Sequence, residues 1–297
     1  MWPVLRRWRR LPPFCLGLGL GLVLAFAAAG ETAENGDLEG ELLPHGELFE
    51  PLIADLRWPR FSAAHQWRLG TDEFDRAGTV SFGETFALYR DAPRRWGRLE
   101  LGFFASVYAL FDMASGSFDL ANEDYQAGFS LSLERGEFVT LLRAYHVSSH
   151  LGDEYLIENR TSRDDVSFEI IDLLVSRPLG KAFRLYGGLG VVVNATNSID
   201  PFRSQGGLEW TSPTGLWGNR IRPIAGTDLQ IRQENDFEPE VAVLVGLRLA
   251  RPEDDVRRLE LFARYYHGRS PEGQFFDQTI DSIGVGLPVS YTHLRAH

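Results

Sequence analysis

Tyr145-His146-Val147-Ser148-Ser149-His150-Leu151-Gly152-Asp153-Glu154 gathers two of the chain's seven histidines, two serines and two carboxylates within ten residues. These side-chain types suit acyl transfer: an imidazole to take a proton, a hydroxyl to attack, and a carboxylate to orient the imidazole. The candidate catalytic residues are therefore His146, Ser148, Ser149, His150, Asp153 and Glu154. Phe138-Val139-Thr140-Leu141-Leu142-Arg143-Ala144, just upstream, is apolar, follows the turn-like Glu134-Arg135-Gly136-Glu137 and reads as a strand. On a strand, residues two apart share a face at about 6.6 Å, so His146 and Ser148 can serve as base and nucleophile. A plainer reading makes them a hydrogen-bonded pair at a loop base, since a motif of two residue types is common. A metal site built from His146, His150 and Glu154 would need a helix; on a strand, positions four apart lie about 13 Å from each other.

The elements that must position this block are strands. About twelve segments alternate apolar and polar residues, near 64–69, 79–90, 97–110, 123–134, 138–150, 166–177, 183–194, 205–211, 222–233, 240–250, 258–267 and 278–287. Tyr125, Ala127, Phe129, Leu131 and Leu133 share one face of the clearest, opposite Gln126, Gly128, Ser130 and Ser132. Strand after strand carries Arg, Glu, Asp, Gln and Gly on one face, which suits a hydrated lumen better than the apolar interior of a soluble sandwich or lipocalin-like barrel. Connections alternate between mostly short and mostly long, as in outer-membrane barrels, with 212–221 an exception. The fold class expected is all-β, a transmembrane antiparallel β-barrel of about twelve strands spanning 64–287. Luminal charges such as Arg184, Arg248, Glu260 and Arg264 are expected to pair and fill a narrow barrel, and Gly187-Gly188-Leu189-Gly190 to mark close packing.

The ends read differently. Arg6, Arg7, Arg9 and Arg10, the apolar run Phe14 to Phe26 and Ala27-Ala28-Ala29 form a secretory signal peptide over 1–29. Its removal takes away Cys15, the one cysteine, and shifts the formal charge from −11 to −15 (−11 minus 4), which argues against nucleic acid as a partner. A mean hydropathy of −0.18 and the lack of a long apolar run exclude spanning helices while leaving spanning strands open. Residues 30–63 form a periplasmic lead-in broken by prolines, and 288–297 an unpatterned tail.

The lead-in Leu48-Phe49-Glu50-Pro51-Leu52-Ile53-Ala54-Asp55 with Arg57-Trp58-Pro59-Arg60-Phe61-Ser62-Ala63, the block His146 to Glu154 and the repeated strands together resemble the bacterial family called domain of unknown function 1207. That resemblance implies a Gram-negative outer-membrane location and no established activity; the barrel reading itself gives outer-membrane lipids as partners and favours a monomer. Locally, His146-Val147-Ser148 is similar to the His-x-Ser of outer-membrane phospholipase A and lipid A deacylases. The similarity implies His146 as base, Ser148 as nucleophile, a downstream Asn or Glu such as Asn159 or Glu158 as orienting group, and calcium as the conceivable cofactor. Asp153, Glu154 and Asp164, with Ser162, would offer that ion hard oxygen ligands.

Two functions of different class follow from these readings: a membrane-embedded acyl-ester hydrolase, and a non-enzymatic channel or structural barrel. Facing discriminates them. If Arg143 points into the lumen, His146, Ser148 and His150 point outward, and a filled lumen with an outward His-Ser pair favours the hydrolase.

Overall fold

The computed structural model describes residues 40–70, 74–91, 97–159, 166–196, 199–251 and 254–291. The signal peptide read over 1–29, the tail from 292 and Asp164 lie outside the described residues. Thirteen strands run in chain order: β1 (Glu41–Leu42), β2 (Phe61–Leu69), β3 (Arg76–Asp91), β4 (Arg98–Asp112), β5 (Asp119–Arg135), β6 (Phe138–Leu151), β7 (Val166–Leu179), β8 (Phe183–Ala195), β9 (Phe202–Thr211), β10 (Ile221–Arg232), β11 (Pro239–Arg251), β12 (Asp254–Arg269) and β13 (Thr279–Tyr291). Strands β2 to β13 each pair antiparallel with their neighbours, and β13 returns to β2 from Asp281↔Leu69 to Val289↔Phe61, closing a twelve-stranded ring. The two-residue β1 lies outside the ring, against Tyr89 and Arg90 of β3. All twelve segments expected from the sequence are strands of this barrel.

Alternation has put the polar residues inside. On β5 the apolar Phe129 is 59% exposed while Asp124, on the opposite face, is 1% exposed. Leu101, Leu131, Leu142, Ile171, Leu208, Val245, Leu261 and Val285 are likewise exposed, and form an apolar belt around the barrel. Inside, arginines and carboxylates pair: Arg143 with Asp172, Arg184 with Glu209, Arg232 with Glu240 and Arg248 with Glu260, each at 2.7 Å. Arg68 meets Glu272 and Arg203 meets Glu234, both at 3.2 Å. Gly188 gives β7 and β8 room, since a Cβ there would stand 2.1 Å from the Leu173 carbonyl oxygen.

Residues 48–60, read from the sequence as part of a periplasmic lead-in, pack inside the ring as a plug. Pro51 and Pro59 deny the segment a regular ladder, so its backbone groups find wall side chains instead. Leu48 N–H donates to Glu100 (3.1 Å) and Ile53 N–H to Glu209 (2.6 Å). Arg184 donates to the Glu50 and Pro51 carbonyls at 2.9 and 2.8 Å, and Ser81 to that of Arg60 at 2.7 Å. Phe49, Leu52 and Trp58 bury themselves against Leu141, Leu174 and Tyr186, while Ile53 and Ala54 pack on Ile224, Leu244 and Phe262.

The opposite end is covered too. A one-turn helix, Gly273–Phe275, between β12 and β13 reaches across to β5 and β6, where the Gln274 amide donates to the Ser149 carbonyl at 2.8 Å. Phe275 packs on Phe74 and on Tyr155 of α1 (Asp153–Asn159). A cavity of about 160 Å³, lined by both charged and apolar side chains, remains between plug and cover. Strand β13 also extends past the expected limit at 287, because Pro288 and Val289 continue the alternation and pair with Ser62 and Phe61.

Candidate active site on the outer face of β6

Strand β6 sends Leu141, Arg143 and Ser149 into the lumen and Leu142, Ala144, His146 and His150 outward. Register then selects the neighbours. Directly opposed residues of an antiparallel pair share a face, and β7 sets Glu169 opposite His146 and Ser167 opposite Ser148. His146 Nδ1 lies 3.1 Å from Glu169 Oε1, and its Nε2 lies 3.4 Å from Ser167 Oγ. An ionised Glu169 accepts only, so it fixes the proton on Nδ1 and leaves the Nε2 lone pair facing the hydroxyl. The result is a serine, histidine and carboxylate in series, the arrangement that activates a hydroxyl for attack.

The constellation is half open to its surroundings. His146 and Glu169 side chains are 50% and 40% exposed, while the second oxygen of Glu169 is buried and has no hydrogen-bond partner among the described residues. Thr196, just beyond β8, holds the strand beneath Ser167: the Ser167 N–H donates to Thr196 Oγ1 at 3.1 Å, and the Thr196 N–H donates to the Ser167 carbonyl at 2.9 Å.

The other sequence candidates fall elsewhere. Ser148 stands across from Ser167 and has no side-chain hydrogen bond among the described residues. Ser149 is luminal, 1% exposed and bonded to Asn122, so it cannot join His146 on the opposite face. His150 faces outward with its ring 5.9 Å from that of Tyr125, and sits four strand positions from His146. Asp153 and Glu154 open α1, where a Glu154 oxygen accepts the Leu120 N–H at 3.1 Å. Asn159 turns back on its own helix, donating to the Tyr155 carbonyl, and does not orient His146. Among the described residues no three His, Cys, Asp or Glu side chains converge as a metal-binding group, and Asp153 and Glu154 are the members of the expected calcium set that the structure describes.

Sequence reasoning missed Ser167 and Glu169. Their signal is the doublet Ser167-Phe168-Glu169, whose polar members occupy outward positions on the strand after His146-Val147-Ser148. A related dyad lies on β12 and β13, where His267 Nδ1 is 2.7 Å from Asp281 Oδ1 and Tyr265 donates to the same oxygen; among the described residues no serine hydrogen-bonds to His267.

Comparison with curated protein sequences gives no match. Among solved structures, the fold is similar to outer-membrane phospholipase A from Escherichia coli, with a TM-score of 0.53 at 11% identity over 80% of this chain and 95% of that one. The calcium-bound dimer of the Salmonella typhi outer-membrane phospholipase is similar at a TM-score of 0.55, with 11% identity over 83% and 96% of the two chains. Likeness at such identity shows an outer-membrane-type barrel fold. Residues 26–292 match the family described as protein of unknown function (DUF1207), and the chain belongs to that family.

Proposed function

We propose that the chain is an outer-membrane acyl-ester hydrolase acting on membrane lipids from the outer face of its barrel. One observation carries the reading: His146 is held between Glu169 at Nδ1 and a seryl hydroxyl at Nε2 on the outward face of β6 and β7. Polar side chains on a lipid-facing surface are costly, and a chemical role accounts for them there. The site's position supports the same reading. Ser148 is three residues from the end of β6, about 10 Å along a tilted strand, which is the depth of headgroups and ester linkages when the long loops face outward.

The chemistry needs these residues alone. His146 Nε2 takes the hydroxyl proton as the serine oxygen bonds to the ester carbonyl carbon, and Glu169 steadies the imidazolium. Collapse of the tetrahedral adduct breaks the bond to the leaving alcohol, which receives the proton from His146. Water then repeats the sequence on the acyl-enzyme and releases the fatty acid. The nucleophile comes from the Ser148 and Ser167 pair. Ser167 is the hydroxyl in contact, and the reading gives it the attack; Ser148 is the one the His-x-Ser resemblance supplies. No step is routed through calcium.

Fatty-acid release by Ser148→Ala and Ser167→Ala, beside wild type in refolded form, tests the assignment. Loss in Ser167→Ala with most activity kept in Ser148→Ala is expected; the reverse pattern moves the attack to Ser148, and undiminished release by the double variant ends the serine mechanism. A channel is the weaker reading because plug and cover occupy both ends of the lumen.

A further inference from the structure

Among the arginines described above, the luminal ones from the strands and Arg57 of the plug meet carboxylates, with two buried exceptions. Arg60 of the plug, 8% exposed, donates only to carbonyls of its own segment, and Arg264 of β12, 9% exposed, has neither a hydrogen bond nor an ion pair among the described residues. Both line the same cavity of about 40 Å³ between plug and wall. Arg57 and Glu272 also face it, so the lining carries +2 (three arginines less one glutamate). Arg57 is already paired with Asp124, and Glu272 with Arg68 and Ser270. Those partners, one negative and one positive, leave the balance unchanged. Asp55, on the same turn of chain, spends its carboxylate on the Arg57 N–H and on Gln205.

We infer that a small inorganic anion of chloride size binds in this cavity between Arg60 and Arg264 and fastens the plug to the barrel wall. A guanidinium cannot escape burial by losing its proton, so its charge is offset by a counter-charge or not at all. Water fills volume and leaves the charge. The cavity also limits the occupant. One water needs roughly 10–15 Å³ of such space, so the site admits a chloride or a few waters and excludes a lipid headgroup. Gln66 and Thr79 of the wall line the same cavity and carry N–H and O–H groups, the Gln66 amide donating to Thr79 at 3.1 Å. The inference is independent of the hydrolase reading.

The test compares full-length mature protein, refolded in detergent, in sodium chloride, sodium bromide and sodium gluconate at equal ionic strength, so that general screening is matched. Loss of the heat-modifiable barrel band is expected about 2–4 °C higher in either halide than in gluconate. Arg264→Gln is expected to remove that difference. Bromide-soaked crystals of the wild type give a readout that does not depend on the variant folding, with anomalous density expected between the two guanidinium groups. Equal midpoints in the three salts, a halide increment that survives in Arg264→Gln, or ordered waters only at that position would each overturn the inference.

Discussion

Asp124 is the knot between wall, plug and cover, and its removal should free the plug. Its carboxylate is 1% exposed on β5, pairs with Arg57 of the plug, and accepts the Gly273 N–H of the cover at 3.1 Å and the Asn122 side chain at 2.9 Å. Asp124→Ala strands the Arg57 charge and the Gly273 N–H together. Breaking a buried pair from one side costs about 3–5 kcal/mol. Arg57 is 26% exposed and partly screened, so the lower end applies. About 3 kcal/mol corresponds to roughly a hundredfold more open plug, at tenfold per 1.4 kcal/mol. Ala54 reports it well, being fully buried in the plug and close in size to cysteine. Protein lacking 1–29 has no other thiol. A membrane-impermeant maleimide should therefore label Ala54→Cys slowly and Ala54→Cys/Asp124→Ala roughly a hundred times faster. Asp124→Asn keeps an acceptor for Gly273 and should fall between. Labelling of the double variant within about threefold of the single one, well under 1 kcal/mol by the same conversion, would refute the idea that this residue locks the plug.

Two further outcomes follow from the lumen. Burial raises the pKa of Glu47 well above its ordinary 4.5, reinforced by Glu84, Glu100 and Glu50 nearby. The folded state therefore favours the protonated form, and this contribution is present below pH 4.5 and fades as pH rises through the raised value. Glu47→Gln should stabilise the barrel more at pH 8 than at pH 4 in thermal melts, where pH-independent behaviour would contradict the account. At Gly207 an added Cβ would stand 2.1 Å from the Thr227 carbonyl oxygen and 2.3 Å from the hydroxyl of Tyr186, a residue that donates to Asp228 at 2.5 Å and packs against Phe49 and Leu52. Gly207→Ala should lower stability by about 1–3 kcal/mol through overpacking, read as a reduced melting midpoint; an unchanged midpoint would show that the Thr227 backbone and the Tyr186 ring both yield freely.

Period-two patterning made the barrel legible. Tyr125, Ala127, Phe129 and Leu131 declare their face within seven residues, and each strand repeats the statement independently. The outward turn of His146 followed from Arg143 being luminal by the same parity. The plug carried no such pattern: Leu48 to Arg60 has no period, and its partners Glu100, Glu209 and Leu174 lie far away in sequence. Ser167 and Glu169 were hidden for a related reason. They meet His146 only through the β6–β7 register, across the connection 152–165, and a one-residue slip would turn both to the lumen.

Fatty-acid release from phospholipid and lipid A bilayers by the refolded barrel, with His146→Ala and Glu169→Gln beside it, is the most direct test of catalysis at His146. Wild type should release fatty acid. His146→Ala should lose it by about 10²-fold or more, the usual scale of a general base, and Glu169→Gln should lose a substantial part, while all three keep the heat-modifiable barrel. No release by a folded wild type, or undiminished release by His146→Ala, would contradict the assignment of catalysis to the outer face of β6.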